Sequence, residues 1–349
     1  MKKHWQQVVY LGILYFLLLG CAGSTLTQPS APADNTNTAD SNALHYYFTS
    51  PDKGSSCEFL PDILSAIDSA QSSIDVAMYN INQDDIANAL IAAQHRGVIV
   101  HMVVDNEKAD NSTPQHLSGA GIPIVYDSNQ STMHNKFMVI DDNQVWSGSM
   151  NFTSSGCKDD YNNMVQIFDT SLAENYRTEF NEMFEDGEFS KDSPSNTPNP
   201  QVQIGNVEVD TYFSPDDGVQ AAMIDLIDHA QTSIVFMAYS FTADPLADAM
   251  IERAHAGVTV EGVMDTDQIK SNTGSEYDRM RKAGISINRD NIAGQMHNKV
   301  IIIDGEIVIT GSYNFSGNAE KRNDENVLVI HSREAAKLYL QAYDGIKVK

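Results

Sequence analysis

One polar motif occurs twice in this chain of 349 residues, and its internal spacing is the same in both copies. Each copy reads His-x-Lys, then an Asp five residues after the Lys, then a Gly-Ser-x-Asn that begins seven residues later. Two imidazoles, two ammonium groups and two amides are sufficient to bind one phosphodiester and to cleave it by covalent catalysis. The duplication therefore predicts one phosphoryl-transfer site built from both copies. The motif residues are His134, Lys136, Asp141, Ser149 and Asn151, and His297, Lys299, Asp304, Ser312 and Asn314.

The chemistry of a phosphodiester suggests a role for each residue type. Attack on phosphorus builds negative charge on the equatorial oxygens, which Lys136 and Lys299 neutralise as point charges. Asn151 and Asn314 donate amide hydrogens to the same oxygens, and the motif serines offer further short polar groups. One imidazole attacks to form a phosphohistidine, while the other protonates the leaving oxygen and then activates water. Because the lysines supply the charge, we predict no metal and no other cofactor.

The elements that position these groups are predicted to be β-hairpins. Each His-x-Lys is followed by a run of apolar and β-branched residues, 138–140 in the first copy and 300–303 in the second. Such runs predict buried strands, and the Asp304-Gly305 pair between two of them predicts a hairpin turn. Side chains alternate along a strand, so the His and the Lys of each copy face one site together. Asp141 and Asp304 are predicted to be structural or orienting.

The duplication extends beyond the motifs. Residues 47–52 are echoed at 212–216, and in both halves strand-like runs alternate with amphipathic segments of helix length. This alternation predicts βαβ units, an α/β fold and largely parallel sheets. A segment rich in Ser, Pro and Asn separates the halves and predicts a linker. We therefore predict lobe 1 at 44–189, a linker at 190–204 and lobe 2 at 205–349.

The repeated His-x-Lys-x4-Asp-x6-Gly-Ser-x-Asn resembles the mark of the phospholipase D superfamily, and the resemblance covers roughly residues 45–343. It implies an α/β fold of two similar lobes, with mixed, mainly parallel sheets, that share one active site. It also implies hydrolysis of phosphodiesters without a metal. The superfamily includes phospholipases D, cardiolipin synthases and hydrolases, and nucleases. The short lobes most resemble the compact endonucleases and the cardiolipin-hydrolase-like members.

One position distinguishes the two copies. Eleven residues after the motif Asn, the first copy has Asn162 and the second has Glu325. In the superfamily a carboxylate here hydrogen-bonds a motif histidine. A carboxylate favours imidazolium and suits a proton donor, whereas an amide leaves an imidazole free to attack. With each partner assigned to its own lobe, we predict His134 as nucleophile and His297 as general acid. The alternative is that Glu325 and Asn162 are surface residues at strand edges.

The N-terminus predicts export. Two lysines precede an apolar run at 8–19, which is too short to span a bilayer comfortably and fits the core of a signal peptide. The Leu-Leu-Gly-Cys that ends at Cys21 resembles a lipoprotein box. We therefore predict a signal peptide at 1–20, a lipid anchor on Cys21 and a flexible tether at 21–43, as in an extracytoplasmic, membrane-anchored bacterial lipoprotein of the periplasm or cell surface. An ordinary cleaved signal peptide and an uncleaved anchor are the alternatives.

The remaining two cysteines, Cys57 and Cys157, both fall in lobe 1. An extracytoplasmic compartment permits disulfides, so a bond between them is possible, and the alternative is two free thiols. Two cysteines alone are a poor zinc signal.

The net charge bears on the substrate. The chain has 47 acidic and 22 basic side chains and a formal charge of −25, which argues mildly against tight binding of polyanions. Lys321 and Arg322 supply local positive charge after the second motif. We predict a phospholipid substrate, with single-stranded nucleic acid as the alternative and a non-catalytic, lipid-anchored binding protein as a third. A monomer suffices, because one chain carries both motifs. Substrate selection is assigned to the loops at 80–85, 106–115 and 266–275.

Overall fold

The computed structural model describes residues 43–51, 57–127 and 131–347. The predicted signal peptide, the predicted lipidation site Cys21 and all but the last residue of the predicted tether lie outside these ranges. Within them, no helix combines the length and the apolar character needed to cross a membrane.

Lobe 1 is built on a seven-stranded sheet. Its strands are β1 (Leu44–Phe48), β2 (Ser73–Met78), β3 (Ile99–Val104), β4 (Ile124–Tyr126), β5 (Lys136–Ile140), β6 (Gln144–Gly148) and β7 (Asn163–Phe168). Its α-helices are α1 (Leu60–Ser69), α2 (Asp84–His95), α3 (Ser112–Gly119), α4 (Ser154–Lys158) and α5 (Thr170–Asn181). A π-helical turn, Glu182–Asp186, continues α5, and a 3-10 turn, Asn106–Lys108, follows β3.

Lobe 2 repeats this plan on an eight-stranded sheet. Its strands are β8 (Gln201–Ile204), β9 (Val207–Ser214), β10 (Ser233–Ala238), β11 (Thr259–Met264), β12 (Ser286–Arg289), β13 (Lys299–Ile303), β14 (Ile307–Gly311) and β15 (Glu325–His331). Its helices are α6 (Val219–Asp228), α7 (Asp244–His255), α8 (Thr266–Ser271), α9 (Tyr277–Lys282), α10 (Gly317–Lys321) and α11 (Arg333–Lys347). The last four residues of the predicted linker thus form β8, which pairs with β9.

The α/β fold with two similar lobes and mixed sheets is confirmed, but the expectation of mainly parallel sheets is wrong. The strand orders are β1-β7-β6-β5-β2-β3-β4 and β12-β11-β10-β13-β14-β15-β9-β8. Only β2-β3-β4 and β10-β11-β12, joined by helical crossovers, pair in parallel. The motif strands return through tight turns, and a tight turn can join only antiparallel neighbours. The helix–strand alternation that predicts parallel pairing therefore holds only for the first half of each lobe.

The core lies on both faces of each sheet. On β5, Phe137 and Val139 join a central apolar cluster that includes α5 and α11, while Met138 and Ile140 face the helices of lobe 1. The strand β13 repeats this alternation in lobe 2. The central cluster contains residues from both sheets, so both motif hairpins pack against one shared core. Burial on both faces explains why the motif strands are apolar at nearly every position.

Asp141 and Asp304 are clamps at the turns that follow β5 and β13. The carboxylate of Asp141 accepts backbone N–H hydrogen bonds from Gln71, Ser72 and Ser73, at 2.7 to 3.1 Å, and one from the Ser72 hydroxyl. Asp304 binds the equivalent residues of lobe 2 in the same way. Each clamp therefore fixes its motif hairpin to the start of the neighbouring strand.

We expect Asp141→Asn to lower the free energy of unfolding by about 2 kcal/mol, because several charge-assisted hydrogen bonds weaken together. Asn accepts the positive φ of 51° at this position, so the change isolates the charge. Partial burial alone would raise the pKa of Asp141, but the hydrogen bonds from Ser72, Gln71 and Ser73 hold it below the usual range. The stabilisation is therefore complete above the pKa of an unfolded Asp, about 4, and is lost as the pH falls through the lower folded value.

Urea unfolding of Asp141→Asn at pH 7 and at pH 3 measures this effect. The matched control is Asp142→Asn, which lies in the same turn, also has positive φ, and pairs only with the exposed Arg177. We expect the control to change stability by less than about 1 kcal/mol. Equal losses in the two variants would contradict the clamp.

Candidate active site

Both motif histidines line one cleft of about 1290 Å³. His134 stands just before β5 and its backbone N–H donates to the Asp324 carbonyl, at 2.9 Å. His297 stands just before β13 and donates in the same way to the Tyr161 carbonyl, also at 2.9 Å. Each histidine is thus anchored to the other lobe, and the predicted single site made from both motifs is present in the structure.

The side-chain partners of the histidines also cross between the lobes. His134 Nδ1 lies 2.7 Å from Glu325 Oε2, and His297 Nδ1 lies 2.9 Å from Asn162 Oδ1. Assigning each partner to the histidine of its own lobe was therefore wrong. The two motif hairpins face each other across the cleft, so each histidine meets the partner from the opposite lobe. Glu325 and Asn162 are almost completely buried, so they are not surface residues at strand edges.

Asn162 is held in one orientation by three hydrogen bonds. Its Nδ2 donates to the Gly156 carbonyl at 3.0 Å, which turns Oδ1 toward the hydroxyl of Ser149 and toward His297. An amide oxygen only accepts, so His297 must carry its hydrogen on Nδ1. The second ring nitrogen, Nε2, then presents a lone pair.

Glu325 fixes the other histidine in the same tautomer. Its Oε2 accepts from the Ser312 hydroxyl at 2.8 Å as well as from His134, and its Oε1 accepts from the Asn323 amide at 3.2 Å. The motif serines, Ser149 and Ser312, are fully buried and face these partners instead of the cleft. This geometry fits the orienting role predicted for the serines, and their contact with phosphate oxygens stays a prediction.

The loops that carry the two partners are restrained differently in the two lobes. In lobe 1 a disulfide joins Cys157, beside Gly156, to Cys57 ahead of α1. In lobe 2 the position of Cys157 is taken by Glu320, which accepts from the Gln220 N–H at the start of α6 and from the Tyr313 hydroxyl. A covalent bond thus holds α4 in place in lobe 1, and hydrogen bonds hold the equivalent helix α10 in lobe 2.

The two motif glycines permit close strand approach. A Cβ on Gly148 would lie 2.3 Å from the Asn163 carbonyl oxygen, and one on Gly311 would lie 2.1 Å from that of Asn326. No side chain fits in either position, because the obstacle is backbone. The glycines bring the motif serines against the strands that carry Asn162 and Glu325.

The motif lysines lie beneath the cleft, fully buried. Lys136 Nζ donates to the His134 carbonyl and Lys299 Nζ to the His297 carbonyl, each at 2.7 Å. Burial lowers the pKa of Lys136 to about 7 despite the carboxylates of Glu325 and Asp105, and it lowers that of Lys299 well below the usual range. A phosphodiester anion beside the two amines would favour their charged form, so the cleft is complementary to an anion.

Burial also governs the histidines. It lowers the pKa of His134 to about 4, although Glu325 opposes the shift. It also holds the pKa of His297 well below its usual range, with Lys299 and Lys136 adding to the effect. Both imidazoles are therefore neutral at pH 7 in the unliganded cleft. Such groups are suited to accept a proton or to attack phosphorus.

The motif asparagines retain free acceptors. Asn151 lines the cleft, and Oδ1 of Asn151 and of Asn314 are both buried without a hydrogen-bond partner among the described residues. Their expected donation to a phosphate stays a prediction.

The cleft also contains residues that the sequence did not single out. Tyr79 packs against His134 with ring centroids 5.1 Å apart, and Tyr239 packs against His297 at 4.7 Å. Lys108 and Lys158 supply the positive charge of the cleft wall, whereas Lys321 and Arg322, the predicted source of local charge, are not among its lining residues. A signal did exist, because the Tyr-Asn at 79–80 and the Tyr-Ser at 239–240 follow equivalent strands.

Several known proteins are similar to this chain. A family model described as cardiolipin synthase, PLD-like domain, matches residues 63–184 and again residues 223–346. A phospholipase D from Rickettsia bellii is 39% identical over 161 residues, which are 44% of this chain and 80% of that protein. A mitochondrial cardiolipin hydrolase from Chlamydomonas reinhardtii is 32% identical over 123 residues, which are 35% of this chain and about half, 55%, of that protein.

A solved structure agrees over nearly the whole fold. The phosphatidylserine synthase of Haemophilus influenzae matches with a TM-score of 0.68 and 15% identity over 88% of each chain, a likeness that concerns the fold alone. The family model covers most of this chain, once in each lobe, and both lobes keep every residue of the motif. The chain therefore belongs to the phospholipase D superfamily.

Proposed function

We propose that this protein hydrolyses phospholipids through a covalent phosphohistidine, with His134 as nucleophile and His297 as general acid and base. Its family makes it a phosphodiester hydrolase of the phospholipase D type. The observation that carries the finer proposal is the crossed pairing, which gives two histidines in one cleft chemically different partners.

The pairing favours His134 as nucleophile for a reason that differs from the sequence argument. When Nε2 bonds to phosphorus, the imidazole becomes cationic, and the carboxylate of Glu325 at Nδ1 stabilises that charge. His297 has the neutral Asn162 at the same place, so it releases a proton more readily once the bound phosphodiester has favoured its protonation. A proton acquired there passes to the leaving oxygen, and the ring then deprotonates the attacking water.

The relatives and the predicted N-terminal anchor both support a phospholipid substrate. The Rickettsia protein bears the name phospholipase D, and the Chlamydomonas protein is named a cardiolipin hydrolase. The predicted lipid anchor on Cys21 would hold the cleft beside a bilayer, outside the cytoplasm. One chain forms a complete site, so we propose a monomer that needs no metal and no protein partner.

A nuclease is the second candidate. The observation that favours it is the combination of Lys108 and Lys158 with two tyrosines on the cleft wall, because cations and aromatic rings together suit single-stranded nucleic acid.

Side-by-side assays decide between the two. The full chain in mild detergent, with chelator present, is offered phosphatidylcholine vesicles or a single-stranded oligonucleotide, and His134→Ala is the blank. We expect choline release that disappears in the blank, and phosphatidyl transfer to an added primary alcohol, because an alcohol can replace water at the phosphohistidine. Oligonucleotide cleavage alone would replace the proposal with the nuclease. Failure on both substrates with an intact fold would mean that the cleft acts on another phosphodiester or that the chain is a binding protein.

A further inference from the structure

The two walls of the cleft differ at one structurally equivalent position. In lobe 1 the carboxylate of Asp105 accepts from the backbone N–H of Met133, and in lobe 2 that of Asp265 accepts from Met296. Three residues after these aspartates stand Lys108 and Gln268 respectively. Equivalent backbone positions therefore carry a cation on one wall and a neutral amide on the other.

A single aromatic ring separates Lys108 from the catalytic groups. Lys108 Nζ lies 4.7 Å from the centre of the Tyr79 ring, and the buried Lys136 Nζ lies 5.2 Å from the same centre. That ring also packs on His134. In lobe 2 the Tyr239 ring has Lys299 at 4.7 Å, but its hydroxyl accepts a hydrogen bond from Gln268 instead of facing a second ammonium group.

Lys108 remains charged and reachable. Its side chain is 20% exposed and lines the cleft, and its ion partner Glu107, at 3.6 Å, is 70% exposed and therefore weakly bound. Partial burial would lower the pKa of Lys108, but the Tyr79 hydroxyl and the carboxylates of Glu107 and Asp105 together raise it. Among the described residues that line the cleft, the permanent cation next to the reaction centre therefore lies on the side of lobe 1.

We propose that Lys108, seated on Tyr79, binds a second phosphate of the substrate, adjacent to the phosphodiester that is cleaved. The site selects molecules with two phosphates joined by a short linker, such as a diphosphatidyl lipid or a 5′-phosphorylated dinucleotide. The proposal rests on the proposed phosphodiester hydrolysis and adds to it the direction in which the substrate lies, with its second phosphate toward lobe 1.

The test compares substrates that differ by one phosphate. The lipid pair is diphosphatidylglycerol and phosphatidylglycerol in matched vesicles, and the nucleotide pair is a dinucleotide with and without a 5′-phosphate. The readout is the ratio of kcat/KM for the two-phosphate substrate to that for the one-phosphate substrate. We expect Lys108→Gln, which copies Gln268, to lower that ratio about tenfold, because one charge-assisted contact is lost. The loss should appear as a higher KM for the two-phosphate substrate.

The matched control moves the charge without changing its total. Lys108→Gln combined with Gln268→Lys keeps the net charge of the chain, so restoration of the ratio would mean that only overall electrostatics matter and would overturn the proposal. An unchanged ratio in Lys108→Gln with both pairs would overturn it too. The pair whose ratio falls identifies the source of the second phosphate, lipid or nucleotide.

The outcome is separable from that of the proposed function. Absence of turnover on all four substrates would contradict the hydrolysis. Calorimetric titration of the 5′-phosphorylated and unphosphorylated dinucleotides in a His134→Ala background still measures the second-phosphate contact in that case. If the 5′-phosphorylated dinucleotide binds His134→Ala with and without Lys108→Gln equally tightly, that result would count against the second-phosphate site.

Discussion

His297→Asn is expected to accumulate a p-nitrophenylphosphoryl group on His134 when it is mixed with bis(p-nitrophenyl) phosphate, whereas His134→Asn accumulates none. The nitrophenolate leaves without a proton, so the first step proceeds without the general acid. The second step stalls because no base activates water, and steady-state turnover falls by about 10³-fold. The reaction is quenched at neutral or alkaline pH, and mass spectrometry of the resulting peptides locates the label.

The reciprocal variant makes the assignment testable in both directions. His134→Asn keeps His297 and its partner Asn162, and it retains the cleft. A p-nitrophenylphosphoryl group on His297 in this variant, together with an unlabelled His134 in the other, would reverse the roles. In urea, the free energy of unfolding of both variants should lie within about 1 kcal/mol of that of the parent chain. Loss of the label would then not reflect loss of the fold.

Glu325→Gln is expected to reduce kcat by about 10³- to 10⁴-fold while the fold persists. The amide matches the carboxylate in size but cannot stabilise a cationic phosphohistidine. If its nitrogen turns toward His134 Nδ1, it also forces the hydrogen onto Nε2 and removes the attacking lone pair. Loss of an orienting carboxylate from a catalytic histidine has an effect of this size in serine proteases.

The pH profile of kcat distinguishes the loss of charge stabilisation in Glu325→Gln from a change in the pKa of His134. Burial, opposed by Glu325, gives His134 a pKa of about 4, and removing the carboxylate lowers it further. The imidazole is therefore neutral throughout pH 6–8 in both proteins. Burial lowers the pKa of Lys136 to about 7 in the unliganded cleft, with Glu325 opposing the shift, but the bound phosphodiester keeps this amine charged, so the loss in kcat at saturating substrate should be constant across that range. Glu320→Gln is the matched control in the same lobe, because Glu320 restrains α10 without contacting a histidine, and we expect less than about a threefold change. A loss that disappears at either end of the range would contradict the proposed role.

The sequence predicts the site better than it predicts the sheets. The repeated spacing identifies both histidines and both lysines, since spacing along a strand fixes which side chains share a face. It also indicates that Asn162 and Glu325 are equivalent positions, but equivalence does not reveal which histidine each contacts. That depends on how the two hairpins face each other across the shared core, and long-range packing of this kind leaves no periodic signal in the chain.

Charge was the other point where sequence reasoning failed. Lys321 and Arg322 are close to the second motif in sequence, but proximity along the chain does not put them on the cleft wall. Lys108 reaches that wall because the turn after β3 begins at the carboxyl end of a parallel strand, where the cleft opens. The predicted loop 106–115 contains it, although its lysine was not singled out.

The crossed pairing makes the two halves of this chain interdependent. A free copy of either lobe would have a histidine without its partner and a partner without its histidine. Two such copies could form complete sites only by associating face to face, so the present chain has the architecture of a fused, two-fold dimer. Within one chain the two partner positions can differ, here an acid and an amide, so the two histidines can take different roles. Chains expressed as separate halves should accordingly recover the activity of the parent chain when they are mixed.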